Sequence, residues 1–344
     1  MGVAPAPNPA PLEEAAPIRE SSLLGRRLNA VLLLALALLV AGLIAFKSSY
    51  FNQVAITTMI FVILAASLNL ITGSAGLLSL GHAAFFGVGA YTAALLSTKF
   101  GWPFWLTLPA SGAAAALVGA VVAVPTMRLT SIYFAVATLG IGEMIYVTML
   151  NWVGLTRGPM GIRSIPGIEA SGAGGIELAL VVTAIVMVAA LWLVHKLVHS
   201  YYGNSLRALR EDDACADAMG IDVGRLKLQS FGIACALAGV AGALFAHTTG
   251  YISPESFRFG ESILILSMIV VGGLGSLYGS VIGAVILSVL PEVLRDLGSY
   301  RMIAVGMVLF LSILFLPRGL VGEVSAIELF RRQLRRAAAR RGAW

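Results

Sequence analysis

Residues 68–96 read LNLITGSAGLLSLGHAAFFGVGAYTAALL. The stretch holds no Asp, Glu, Lys or Arg, and Gly73, Gly76, Gly81, Gly87 and Gly89 punctuate it. In water such a segment would fail twice. Its apolar surface would lie uncovered, and each helical glycine costs about 1 kcal/mol relative to alanine. In a membrane the same features help, because small residues let helix backbones approach closely. The rest of the chain agrees with this reading. Of its 344 residues 58% are hydrophobic and 12% charged, and 38 are glycine. Soluble domains average about 45–50% apolar and about 25% charged. The apolar runs are long and do not alternate, which argues against a barrel. The expected fold is all-α, a polytopic transmembrane helical bundle.

A span needs roughly 20 apolar residues. Candidate spans lie at 28–46, 54–72, 76–97, 104–124, 131–150, 176–199, 229–248, 261–271, 275–290 and 301–316. That makes about 8–10 crossings, since a full crossing takes more residues than the shortest of these supply. The 261–290 region therefore reads as one broken pair or a re-entrant element. Residues 1–27, rich in Ala and Pro, are expected to be disordered. Residues 28–323 form the transmembrane domain, and 324–344 form a basic tail.

Lysine and arginine set the orientation. If the N-terminus is cytoplasmic and each candidate spans once, 16 of the 23 Lys and Arg fall inside and 7 outside. Both termini and the segment at 205–220 are then cytoplasmic. The net charge of +6 resides mostly in the tail, whose default partner is anionic lipid rather than nucleic acid.

Residues 210–222 read REDDACADAMGID, placing Glu211, Asp212, Asp213 and Asp217 between two apolar stretches. Asn204 or Ser205 can cap a helix there, Gly220 can end it, and Asp222 can cap the next one. The expectation is one cytoplasmic helix over 205–220. Leu206, Leu209, Ala216 and Met219 form its apolar stripe, and Ala214 and Ala218 a small-residue patch. Arg207 and Glu211 can pair across a turn. Asp213 and Asp217 repel each other, and a basic partner surface would relieve them. The alternative is a solvated loop helix kept soluble by its acids.

Cys215 and Cys235 imply no disulfide framework. His195 and His199, where a span ends, read as interfacial. No metal motif occurs and no cofactor is expected. The chain also lacks GxxxxGK[ST], so it has no ATPase site of its own.

Several stretches together closely resemble the branched-chain amino acid ABC transporter permease family. They are RALREDDACADAMGIDVGRLKLQSFGIACALAGVAGAL (207–244), residues 68–96, VGGLGSLYGSVIGAVIL (271–287) and FLPRGLVG (315–322). TLGIGEMIYVTMLNWVGLTRGPMGI (138–162) is similar to the LivM-type subunit in particular. The resemblance runs from about residue 28 to 323. It implies a permease subunit in the bacterial inner membrane, moving branched-chain amino acids inward by alternating access. It also implies a LivH-type permease as heterodimer partner, two cytoplasmic ABC ATPases and a periplasmic substrate-binding protein. The acidic segment matches the family's coupling helix, which docks on an ATPase. The matching positions are Arg210, Glu211, Asp212, Ala214, Ala218 and Gly220.

Candidates for the translocation path are Asn69, Gly73, Gly76, Ser79, His82 and Glu143. A carboxylate at membrane depth usually faces the bundle interior or water, so Glu143 either holds a substrate ammonium or bonds a neighbouring helix. The dense glycines of 73–89 either break a helix beside the path or pack closely, with Ser79, Ala83 and Gly87 at small-xxx-small spacing. GGLGSLYG (272–279) loosely echoes GSAGLLSLG (73–81), a hint of an internal repeat. Arg157, Gly158, Pro159 and Gly161 shape an outer turn, either a binding-protein contact or a plain connection. The competing functions are an ion-coupled secondary transporter and an ABC permease for urea, amides or aromatic acids.

Overall fold

The computed structural model describes residues 49–126, 129, 131–168 and 175–295, with single positions at 300, 303, 306, 307, 310, 314 and 320. The expected span at 28–46, most of that at 301–316, the leading 27 residues and the basic tail lie outside these. Among the described residues five helices are long and apolar enough to cross a membrane.

The first helix, α1 (Ser49–Asn69), runs into a single wide π-turn over Leu70–Ser74. Residues 75–81 are not helical, and α2 (His82–Phe100) follows. The expected span at 76–97 is thus displaced. The cause is local: Gly76 sits at φ +72, which no helix accommodates. α2 is also not among the helices apolar enough to cross alone. Most of its residues are nevertheless buried, so protein rather than lipid surrounds it. Next come α3 (Phe104–Thr126) and α4 (Ser131–Asn151), both within two residues of expectation. Outside the bundle lie a one-turn helix α5 (Val153–Thr156) and a two-residue strand β1 (Ile162–Arg163).

The chain returns through α6 (Ile176–Val198) to two short helices, α7 (Tyr201–Glu211) and α8 (Asp213–Ala218). It crosses again in α9 (Val223–Thr249), and β2 (Tyr251–Ile252) pairs antiparallel with β1. α10 (Phe259–Gly272) and α11 (Leu277–Val293) follow. At 1.5 Å per residue α10 covers only about 21 Å, short of a full crossing. The 261–290 region is a broken pair of helices that pack on each other, joined at 273–276.

α9 is the hub, packed against α2, α3 and α1. Its buried face is built of Ala234, Cys235, Ala238, Gly239, Ala241, Gly242, Ala243 and Ala246. A Cβ on Gly89 would overlap the Gly239 backbone, and one on Gly239 would lie 2.5 Å from Ala115 Cβ and from the Ser111 carbonyl. Three backbones therefore touch at one level. Lipid tails are as apolar as leucine, so dispersion between closely fitted helices holds such a bundle. Beside this contact Phe231 takes Phe85 and Phe134 edge-on at 5.3 and 5.5 Å.

The glycine run contains both a helix break and a close packing contact. The chain breaks at 75–81, and the close packing lies farther along, at Gly87 and Gly89. Backbone freed by the break is bonded by protein. Ala75 and Leu77 amides donate to the Ile71 carbonyl, and Thr138 Oγ1 accepts from the Leu80 amide at 3.1 Å. Ser262 Oγ accepts from the Ala83 amide at 3.0 Å.

Two stability outcomes follow. Gly239→Leu forces three backbones apart and should destabilise by about 1–3 kcal/mol or more, read as a lowered thermal midpoint in detergent. Gly232→Leu on the same helix has open space around it and should leave the midpoint unchanged. Thr138→Val strands the Leu80 amide and should cost about 1–3 kcal/mol, with faster amide hydrogen exchange at residues 75–82.

Candidate coupling and translocation site

The acidic segment is two helices rather than one. Asp212 takes an extended conformation (φ −160, ψ 118) and ends α7. Its carboxylate then accepts from the Cys215 amide at 2.9 Å and caps α8. The backbone N–H groups of Cys215 and Ala214 hold this carboxyl below its ordinary value. The cap is therefore present above the usual carboxylate range and is lost only as pH falls through the lowered value. Aspartate is a strong N-cap, which is why the expected single helix breaks here. The segment begins after Ser200 rather than at Asn204 or Ser205. Gly220 is left-handed at φ +82, and Asp222 accepts from the Arg225 amide, both as the sequence indicates.

Leu206, Leu209 and Ala216 anchor the segment, each buried. Met219 leaves the expected apolar stripe and is 82% exposed, because α8 starts afresh and rotates its faces. Glu211, Asp212, Ala214, Asp217, Ala218 and Gly220 are exposed. Asp213 pairs with Lys227, a buried lysine in the first turns of α9. The chain's own lysine thus relieves part of the Asp213–Asp217 repulsion. Among the described residues Arg207 has no ion pair with Glu211; its guanidinium reaches Asn204 Oδ1 at 3.5 Å.

Arg210 turns the other way. Its Nη1 donates to the Gly73 carbonyl at 2.9 Å. Its stem lies along Gly76, where a Cβ would come 3.1 Å from Arg210 Cγ. Gly275, at φ +82, adjoins the same guanidinium: its Cβ would lie 3.0 Å from Nη1. Asn69 Oδ1 accepts from the Gly275 amide at 3.0 Å. The two glycine-rich breaks, 70–81 and 273–276, therefore meet each other and the acidic segment at one joint. The structure gathers Asn69, Gly73, Gly76 and Arg210 there. Gly275 is not among the sequence candidates; the loose likeness of GGLGSLYG (272–279) to GSAGLLSLG (73–81) is the one signal that could have found it.

Ser79 and His82 lie deeper, both fully buried. His82 Nε2 and Ser67 Oγ are 2.8 Å apart. Among the described residues His82 Nδ1 and Ser79 Oγ find no hydrogen-bond partner. Glu143 stands apart from this group, exposed on α4 among Ile132, Tyr133, Val136, Met144 and Val147. It borders a narrow crevice lined by Leu80, Gly81, Gly142, Phe257, Phe259 and Ser262.

The opposite end is clamped. Arg157, Gly158 and Gly161 have positive φ, as a shaped turn requires. Pro166 O lies 2.7 Å from His247 Nδ1, and Thr107 Oγ1 is 2.9 Å from Nε2. Near Glu143, the Tyr146 hydroxyl donates to Glu255 at 3.2 Å, and Glu255 pairs with Arg258 at 2.9 Å. The clamp, this polar cluster and the Lys227 pair each join residues distant in sequence, and no local pattern announced them.

Known proteins place this arrangement in context. The model of the family described as "Branched-chain amino acid transport system / permease component" matches residues 50–316. The high-affinity branched-chain amino acid transport system permease protein LivM of Escherichia coli (strain K12) is 36% identical over 294 residues, 78% of this chain and 69% of that protein. A probable branched-chain amino acid transport permease protein LivM of Methanocaldococcus jannaschii is 26% identical over 226 residues, 60% of this chain and 65% of that one. The permease protein LivH of Escherichia coli (strain K12) is 24% identical over 306 residues, 81% of this chain and 96% of that protein. A match over this length, in a chain of membrane-spanning helices, means that the chain belongs to the permease component family of branched-chain amino acid transport systems.

Proposed function

We propose that this permease is the LivM-type half of a heterodimeric ABC importer for branched-chain amino acids in a bacterial inner membrane. Its partners are a LivH-type permease, two cytoplasmic ATPases and a periplasmic binding protein. Both termini and the acidic segment face the cytoplasm, as the lysine and arginine distribution favours.

The observation that carries this reading is the two-sided construction of α7 and α8. One side offers small residues and exposed acids, Ala214, Ala218, Glu211 and Asp217. The other side is tied into the bundle through Leu206, Leu209, Arg210 and the Asp213–Lys227 pair. A solvated loop would not need the second side, and a solitary carrier would not need the first. Nucleotide-driven closure of the ATPases pushes the exposed side, and the tied side passes the displacement to the spans.

The substrate path runs along the exposed face of α4. A carboxylate near the middle of a span costs a few kcal/mol against lipid, so this face borders the partner permease and a wet path rather than acyl chains. Glu143 there meets the ammonium of the passing amino acid. A single carboxylate favours this over ion-coupled transport, which calls for sets of ion ligands. The outer turn at Arg157–Gly161 is the docking contact for the binding protein.

Tagged wild-type chain should copurify with ATPases in mild detergent. Ala214→Arg with Ala218→Arg should cut their recovery about tenfold or more, the scale of disrupting an interface hot spot. Absence of ATPases from the wild-type preparation would overturn the importer reading. Glu143→Gln should raise the KM for leucine uptake about tenfold, the cost of one charged hydrogen bond, while leaving ATPase recovery intact. In sealed right-side-out vesicles, Cys215 should resist an impermeant maleimide until the membrane is opened.

A further inference from the structure

We infer that Arg210 is a positioning residue that ties the coupling segment to both helix breaks, so that one displacement moves α1–α2 and α10–α11 together. This rests on reading 201–218 as the coupling segment. It departs from the family resemblance on one point, since that resemblance counts Arg210 among the docking residues.

The breaks at 70–81 and 273–276 lie about two hundred residues apart in sequence, yet each has a backbone group exposed by loss of helix. The Gly73 carbonyl is taken by Arg210 Nη1 at 2.9 Å. The Gly275 amide is taken by Asn69 Oδ1 at 3.0 Å. Both contacts require bare backbone. A Cβ on Gly73 would meet the Gly275 amide nitrogen at 2.6 Å, and one on Gly275 would meet the guanidinium at 3.0 Å. Gly76 and Gly275 also hold left-handed φ values of +72 and +82.

The guanidinium joins the coupling segment to the 70–81 break by a hydrogen bond. Arginine suits the task because its planar group presents several donors in a fixed fork and forms charge-assisted bonds to carbonyls. The outward acids on the same segment are left for docking. Docking and transmission are thus assigned to different side chains within four residues, Arg210 on one side and Glu211 and Ala214 on the other.

The experiment uses the full importer, with both permeases, both ATPases and the binding protein, in proteoliposomes. Arg210→Met and Arg210→Lys should recover ATPases at the wild-type level. Uptake should fall and ATP consumed per substrate should rise by about tenfold, within the range for coupling between two sites. Asn69→Ala should act in the same direction, and the double variant should be no worse than Arg210→Met alone, because both substitutions open one joint. An unchanged ATP-to-substrate ratio in Arg210→Met overturns the inference. Loss of ATPases from both Arg210 variants also overturns it, by making Arg210 a docking residue. If the wild-type importer itself shows no ATP-driven uptake, the importer reading fails, and the joint is judged by distance instead. Spin labels on Cys215, which is exposed, and on Leu274→Cys should give a narrow distribution with Arg210 and a broad one with Met. Equal widths overturn the inference on that route.

Discussion

Backbone polar groups inside a membrane must be bonded by protein, since no water is there to take them. The helices meet that demand internally. The two glycine breaks cannot, and what surrounds them follows from it. Thr138, Ser262, Asn69 and Arg210 come from four different segments, and each supplies a bond that a continuous helix would have made for itself. The break at 75–81 is tolerated because α2 and its neighbours shield it. The break at 273–276 is tolerated because it leans on the first.

That arrangement needs a rigid body behind it. The contact of α2, α3 and α9 at Gly89, Ala115 and Gly239 provides one, since interiors packed at this density do not deform gradually. The outer clamp of His247 between Thr107 and Pro166 fixes the same group of helices at the opposite end. α4 is held less completely. Its exposed face carries Glu143, and α4 packs on the group through only part of its surface. A permease component built this way has a fixed side and an open side.

The acidic segment joins these two properties. Its break at Asp212 lets α8 point its own faces independently of α7. Asp213 can then reach Lys227 while Asp217 remains outward.

The sequence alone determined the class, the family and several of the described membrane segments. The helices at 104–126, 131–151 and 176–198 lie within two residues of the apolar runs that announce them. Bilayer thickness sets the length of such runs, and that is a one-dimensional property of the chain. Gly220 and Asp222 were legible for the same reason, because turns and caps act within four residues. Tertiary structure decided the rest. It sent Arg210 inward, gave Asp213 an internal partner and left Glu143 on an open face. Each of these depends on which backbone or charge lies opposite across the bundle, and pairings so distant along the chain leave no local pattern.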